Sequence, residues 1–208
     1  MPITTVAKSG TTVTTVMTPA AVTITPDTTR VQLQDLRGAM RSGGVPVVGP
    51  QGTLLGVVSG VDAVDPARPN GTVRELMSTS TATVRSDTPI EDAAALARDG
   101  AQRLFVVREG KLVGVVTRKD ILATADAQIT RQIERTVIGM LPDLDARCLR
   151  VKVDDGQVFL VGRVPWHRDV DACSRVAAAV RGVKAVVNRL DYVWDDRPRG
   201  RWSVHHHG

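Results

Sequence analysis

The hydrophobic pattern of the first 126 residues is written twice. "GTLLGVVSGVD" (52–62) returns as "GKLVGVVTRKD" (110–120), with six of eleven positions identical. Upstream, "VMTPAAVTITPDT" (16–28) aligns with "LMSTSTATVRSDT" (76–88) at a shift of 60. "PVV" (46–48) meets "FVV" (105–107) at 59, and Gly56 meets Gly114 at 58. Loops lose residues while strands stay in phase, as in two copies of one structural unit. Each copy predicts a short strand (Val22, Ile24; Thr83, Val84), a helix, two apolar strands, and a second helix opening at Asp62 or Asp120. In the second copy, Thr88-Pro89-Ile90-Glu91 predicts a capping box with Thr88 as cap and Pro89 as the first helical residue. Ile90, Ala93, Ala94 and Ala97 form the apolar stripe, and Gly100 supplies the left-handed stop. Leu33, Leu36 and Met40 play the same part in the first copy, ended by Gly43-Gly44. "GPQG" and "REGK" are the turns between the paired strands, and "DPARPNG" (65–71) links the copies.

From Ala127 the pattern changes. Ile129, Ile133, Val137 and Met140 predict one face of a helix, which "LPDLD" ends. Alternation follows at Leu149, Val151 and Val153, then at Val158, Leu160, Gly162 and Val164. The Asp-Gly between these runs is a hairpin signal. Val170, Cys173, Val176, Ala177 and Val180 predict a second helix, and "VKAVVNRLDYVW" a last strand. The predicted fold class is α+β: a pseudo-symmetric pair followed by a small α-β-β-α-β layer with its helices on one face of the sheet. The expected domains are 8–64, 72–126 and 127–195, with 196–208 a disordered basic tail.

Composition alters this picture little. Apolar residues make up 42% and charged residues 24% of the 208, ordinary for a soluble globular chain. Aromatics are 3%, so the core is aliphatic. No apolar run approaches the roughly 20 residues of a membrane span. "MPITTVAKSG" lacks the basic and apolar segments of an export signal, so a cytoplasmic protein is expected. Cys148 and Cys173 have no CxxC or histidine companions and are expected as reduced, partly buried thiols; a disulfide between them requires a close approach of their backbones. The net charge is +5. Residues 1–126 carry 13 Lys/Arg and 12 Asp/Glu, 127–196 carry 11 and 10, and the last twelve add only Arg197, Arg199 and Arg201. The excess lies in the tail, and no nucleic-acid partner is expected. His205 to His207 belong to that tail, and His167 is expected in a turn. Trp166 and Trp194 are expected half-buried beside a small core, with interfacial anchoring the other reading.

The chemistry concentrates in the repeated phrase. A Ser/Thr at a strand end and an Asp three residues later form a polar ledge at a helix start: Ser59 and Asp62, Thr117 and Asp120. A carboxylate suits the hydroxyls of a ribose, and a helix N-terminus suits phosphate oxygens. The same pair is equally a helix cap, contributing about 1 kcal/mol. Arg118 and Lys119 place two cations inside the second motif where the first has Gly60 and Val61. Arg103 is a further candidate anion contact, and Phe105 is either a purine platform or core. No Ser-His-Asp set, P-loop, GxGxxG or metal-ligand cluster appears, so no enzyme is expected.

The doubled hydrophobic-Pro-hydrophobic and G-x-x-[ST]-x-x-D pattern resembles the CBS domain, over nearly all of residues 8–124. That resemblance implies a tandem pair, dimerisation through the pair, and adenosine-type ligands in its clefts. Ribose would meet Asp62 or Asp120, with phosphate near Ser59 or Thr117 and the basic residues beside them. AMP, ADP or ATP would act as effector, and no cofactor is required. Phe105 stands where the family usually has proline, as at Pro46, which puts the pocket's shape in question. "V-x-L-x-G-x-V" and "GVKAVVNRL" resemble the BON domain over 127–194, with Gly162 at the family's glycine. This second resemblance implies attachment to a phospholipid surface or a protein. The function implied is a regulatory adenine-nucleotide sensor; the alternative is a ligand-free structural adaptor that dimerises.

Overall fold

A computed structural model describes residues 11–20, 22–36, 44–59 and 71–197. Met40, Gly43, Gly60, Val61, Asp62, most of the 65–71 linker and residues 198–208 lie outside the described residues. The chain divides into two compact units, Met1–Thr124 and Ala125–Gly208.

In the first unit the two copies interlock, and the interlocking explains residues that the repeat preserves. The strands are β1 (Thr18–Pro19), β2 (Val45–Val48), β3 (Leu54–Val58), β4 (Thr83–Arg85), β5 (Arg103–Arg108) and β6 (Lys111–Thr117). The helices are α1 (Arg30–Gln34), α2 (Val73–Leu76), α3 (Ile90–Arg98) and the start of α4 (Arg118–Met140). In each copy a short strand lies parallel to the first strand of an antiparallel hairpin: Ile24 bridges Val47, and β4 pairs β5. Each copy's leading segment crosses to the other copy. Thr18 pairs Val115 of β6, and its counterpart Ser78 pairs Val57 of β3. Val13 N–H donates to the Thr88 carbonyl at 3.0 Å, and Val73 N–H donates to that of Thr28 at 3.0 Å. The second pair is the first one with its partners exchanged by the 60-residue shift, so the two copies are related by a pseudo-twofold axis.

The repeated glycines sit at the crossings. A Cβ at Gly56 would stand 2.6 Å from the Ser78 carbonyl oxygen, and one at Gly114 would stand 2.9 Å from that of Thr18. Only hydrogen there lets the foreign segment reach the strand. Leu33, Val45, Val47, Val58 and Val73 pack one core, and Ile90, Ala93, Ala94, Ala97, Leu104 and Val106 are buried in the second copy. Each fully buried Leu, Ile or Val contributes about 1.5–3 kcal/mol. Helix α3 begins at Ile90 with Pro89 as its cap, so Pro89 precedes the helix rather than opening it and Thr88 stands one residue outside. Segment 11–13 lies against this start, where Ile90 N–H donates to the Thr11 carbonyl.

The second unit has strands β7 (Leu149–Asp154), β8 (Gln157–Trp166) and β9 (Ala185–Trp194), ordered β7-β8-β9, with α5 (His167–Ala178) crossing between β8 and β9. Asp155 and Gly156 both have positive φ (46° and 78°) and close the β7–β8 hairpin, as Asp-Gly predicts. Ile129, Ile133 and Val137 of α4 pack with Leu160, Val164, Cys173 and Ala177. The expected helix from 127 is therefore the continuation of the one expected at Asp120: a single helix, α4, runs through both stretches. Met140 is 38% exposed, and Leu141 takes its place in the core. His167 opens α5 instead of lying in a turn, with its ring edge-on to Tyr192 at 4.9 Å. Gly162 has φ +135°, and a Cβ there would collide with the Cys148 carbonyl oxygen, the close approach expected of a strand glycine. Cys148 is exposed, not partly buried, and both thiols are free. Trp166 is 37% exposed and so partly buried, whereas Trp194 is 60% exposed, against the partial burial expected of both; their ring centroids lie 6.4 Å apart. No helix of the described residues is long and apolar enough to cross a membrane.

Candidate functional site: the cleft at the start of helix α4

Strand β6 ends at Thr117 and α4 begins at Arg118, two residues before the expected start at Asp120. The junction is pinned from below, where Arg118 N–H donates to the Gln102 carbonyl at 2.9 Å. Thr117 Oγ1 donates to Asp120 Oδ2 at 2.6 Å and accepts from Asp120 N–H at 3.2 Å. The motif therefore caps its own first turn, satisfying one N–H that the helix leaves open.

Beside this junction lies a cavity of about 610 Å³. Thr117, Arg118 and Lys119 line it from the β6–α4 corner, and Arg103 and Phe105 from β5. The structure thus brings together four of the seven residues singled out by sequence, with Phe105. Asp120 does not line the cavity; its exposed carboxylate reaches the site through Thr117. Arg103 Nη1 lies 3.5 Å from the Gly44 carbonyl, which it meets as a donor. Phe105 is 4% exposed, so it is a packed wall of the cavity. Ser59 follows β3 at the equivalent corner of the first copy, and Asp62 of the same motif lies outside the described residues.

Sequence reasoning missed the opposite wall. Ser80, Thr81 and Ala82 precede β4, Gln102 precedes β5, and Val57 comes from the other copy. Thr81 Oγ1 is buried with no hydrogen-bond partner among the described residues. A buried hydroxyl without a partner costs about 1–3 kcal/mol, a deficit that a bound polar group would remove. The one usable signal was the placement of Ser80 and Thr81 just before a repeated strand.

The lining is chemically divided. Val57, Phe105 and Leu122 make apolar surface; Ser80, Thr81, Thr117 and Gln102 offer hydroxyl and amide groups; Arg103, Arg118 and Lys119 bring three cations and no acid. Among the described residues, no group of three His, Cys, Asp or Glu is placed to hold a metal ion.

The CBS-domain family model matches residues 73–126, and the BON-domain model matches 125–193. The chain carries a CBS domain followed by a BON domain. The magnesium transporter MgtE of Thermus thermophilus is 36% identical over 123 residues, which is 58% of this chain and 26% of that protein. The CBS–BON chain therefore spans about a quarter of the length of the curated relative it matches. A crystal structure of a CBS domain-containing protein of unknown function from Bacillus anthracis superposes with a TM-score of 0.51 at 17% identity, covering 57% of this chain and 94% of that one. That likeness is to the fold. The crystal structure of CBSX2 in complex with AMP is 32% identical, with a TM-score of 0.49, and covers 58% of this chain and 98% of that one. The family model falls on the second copy, and the exchanged contacts of the first unit identify residues before it as that copy's structural partner.

Proposed function

We propose that the CBS pair binds an adenosine nucleotide in the cleft at the start of α4 and that this ligand regulates the protein. The supporting observation is the placement of Arg118 and Lys119 on the first turn of a long helix, lining a cavity that also holds Arg103 and is otherwise walled by apolar, hydroxyl and amide groups. The helix N-terminus and two cations suit a phosphate chain. Val57, Phe105 and Leu122 suit the faces of a purine, and the unpartnered Thr81 hydroxyl suits a ring nitrogen or a ribose hydroxyl. Asp120 takes the ribose only if its carboxylate exchanges the Thr117 hydroxyl for those of the sugar. The first-copy ledge, Ser59 with Asp62, has no cations in its motif and takes a less charged ligand or none.

On this reading the protein is a cytoplasmic, non-catalytic sensor that forms a homodimer through its CBS pair. The ligand acts by binding two geometries of the pair with different affinity, and the BON domain serves as an interaction or attachment module. A thermal-shift series with AMP, ADP, ATP, S-adenosylmethionine, NAD and cyclic dinucleotides tests it. At a hundred times Kd a specific ligand adds about 2.7 kcal/mol, a visible rise in melting temperature. Were no adenine ligand to move the curve, the sensor reading would fail and the structural adaptor would stand. Binding left unchanged in Asp120→Ala would remove the ribose assignment alone.

A further inference from the structure

The BON sheet has two unlike faces. Val158, Leu160 and Val164 of β8 point into the core beneath α4 and α5 and are buried. The alternate residues form the opposite face, on which Val161 remains 44% exposed. The pairing fixes the layout of this face row by row. Arg150 of β7 lies opposite Val161, which lies opposite Arg189 of β9; Lys152 lies opposite Phe159, which lies opposite Val187. An apolar ridge of Phe159 and Val161 is thus bordered by Arg150 and Lys152 on one side and by Arg189 on the other, with one acid, Asp154, at the hairpin end of the same face. Arg150, Lys152 and Arg189 are exposed, and none is in an ion pair among the described residues. The neighbouring Arg163 is neutralised by Asp191 at 3.2 Å.

We propose that this open face docks an acidic amphipathic helix of a partner protein. Strands stand about 4.8 Å apart, so Arg150 and Arg189 border the ridge about 10 Å from each other. That matches the roughly 10 Å diameter of an α-helix. A helix laid along β8 sets its apolar stripe on Phe159 and Val161, and carboxylates on its two flanks meet Arg150 and Lys152 on one side and Arg189 on the other. A second copy of this face brings like charges together, which opposes self-association through it. A single-stranded nucleic acid finds one aromatic ring, Phe159, where stacking recognition uses two or three. The exposed tryptophans suited to a lipid interface, Trp166 and Trp194, fall on the other parity of their strands, which the buried positions share.

The test uses the full chain and a fluorescently labelled synthetic helix with a leucine stripe flanked by glutamates. The comparison probes are poly-glutamate, oligouridylate, and phosphatidylglycerol vesicles. The expected result is anisotropy-detected binding of the Leu/Glu helix, with amide shifts centred on Phe159, Val161 and Arg189. Arg150→Glu with Arg189→Glu weakens it at least about tenfold, the equivalent of 1.4 kcal/mol. Arg131→Glu with Arg135→Glu, an equal charge change at exposed sites on α4, weakens it less than threefold. Melting curves check that both variants fold, and Val161→Asp offers a second disruption should the first variant fail to fold. Equal binding of poly-glutamate, tighter binding of oligouridylate or vesicles at the same face, or equal loss in both charge variants overturns the proposal. The proposal draws on the second unit alone, so a failed nucleotide titration does not touch it.

Discussion

At the scale of single residues, the informative positions are those where the backbone leaves no choice. At Gly162 a methyl group both opposes a φ of +135° and collides with the Cys148 carbonyl. Gly162→Ala is therefore expected to destabilise the BON domain by about 3 kcal/mol or more, measured by urea denaturation. A strand glycine announces such a contact in sequence, but the partner that it meets comes only with the fold. The cysteines differ by burial. Burial pushes the Cys173 thiol up to about 11, with the Asp169 carboxylate adding to it. A raised thiol pKa means that the unfolded chain loses its proton first as pH rises. The contribution is whole below about pH 9 and falls away towards pH 11, by about 2–3 kcal/mol. Denaturation midpoints across that range check this, and Cys173→Ala is expected to flatten the decline. Thiol titration should label Cys148 rapidly in the folded protein and Cys173 only on unfolding.

At the scale of elements, α4 carries more than its sequence pattern suggested. Its first turn holds Arg118 and Lys119, its later turns hold Ile129, Ile133 and Val137, and between them Asp126 reaches the β7–β8 turn. The Asp126 carboxylate accepts from Asp155 N–H at 2.7 Å and Gly156 N–H at 3.0 Å, fixing the turn from outside its hairpin. Asp126→Ala removes both acceptors and is expected to cost about 3 kcal/mol, with loss of hydrogen-exchange protection at those two amides. The elements themselves were legible because period and punctuation agree: alternation for β7 and β8, an Ile-Ala stripe for α3, Asp-Gly for the hairpin. What stayed hidden has no period. Thr18–Pro19 is too short to read as a strand, and it exists because β6 keeps Gly114 open to receive it. Met140 continued the helical spacing, yet the helix ends there and the next residue, Leu141, turns into the core. The tryptophans followed hydrophobicity in the sequence, while their place at strand ends leaves them exposed.

At the scale of the whole molecule, the repeat is the organising fact. Two copies exchange their leading segments through equivalent contacts, so the cleft combines Val57 of the first copy with the segment before β4, with β5 and with α4 of the second. The cationic half of the site was readable because it differs from its echo, Arg118-Lys119 against Gly60-Val61. The polar wall at Ser80, Thr81 and Gln102 was not, because strand pairing assembles it from unrelated loop positions. If the cleft takes a nucleotide, affinity should depend on the phosphate chain and weaken with salt, since cations within reach of solvent, Lys119 exposed and Arg118 half-buried, carry it. The most direct measurement is calorimetric titration of the full chain with ATP, ADP, AMP and adenosine, in the unaltered protein and in Arg118→Ala with Lys119→Ala. The expected result is specific binding that falls from ATP towards adenosine, with the double substitution removing about tenfold or more of the ATP affinity and leaving adenosine unchanged. Absence of binding by any of the four, or ATP affinity indifferent to Arg118 and Lys119, would contradict the account.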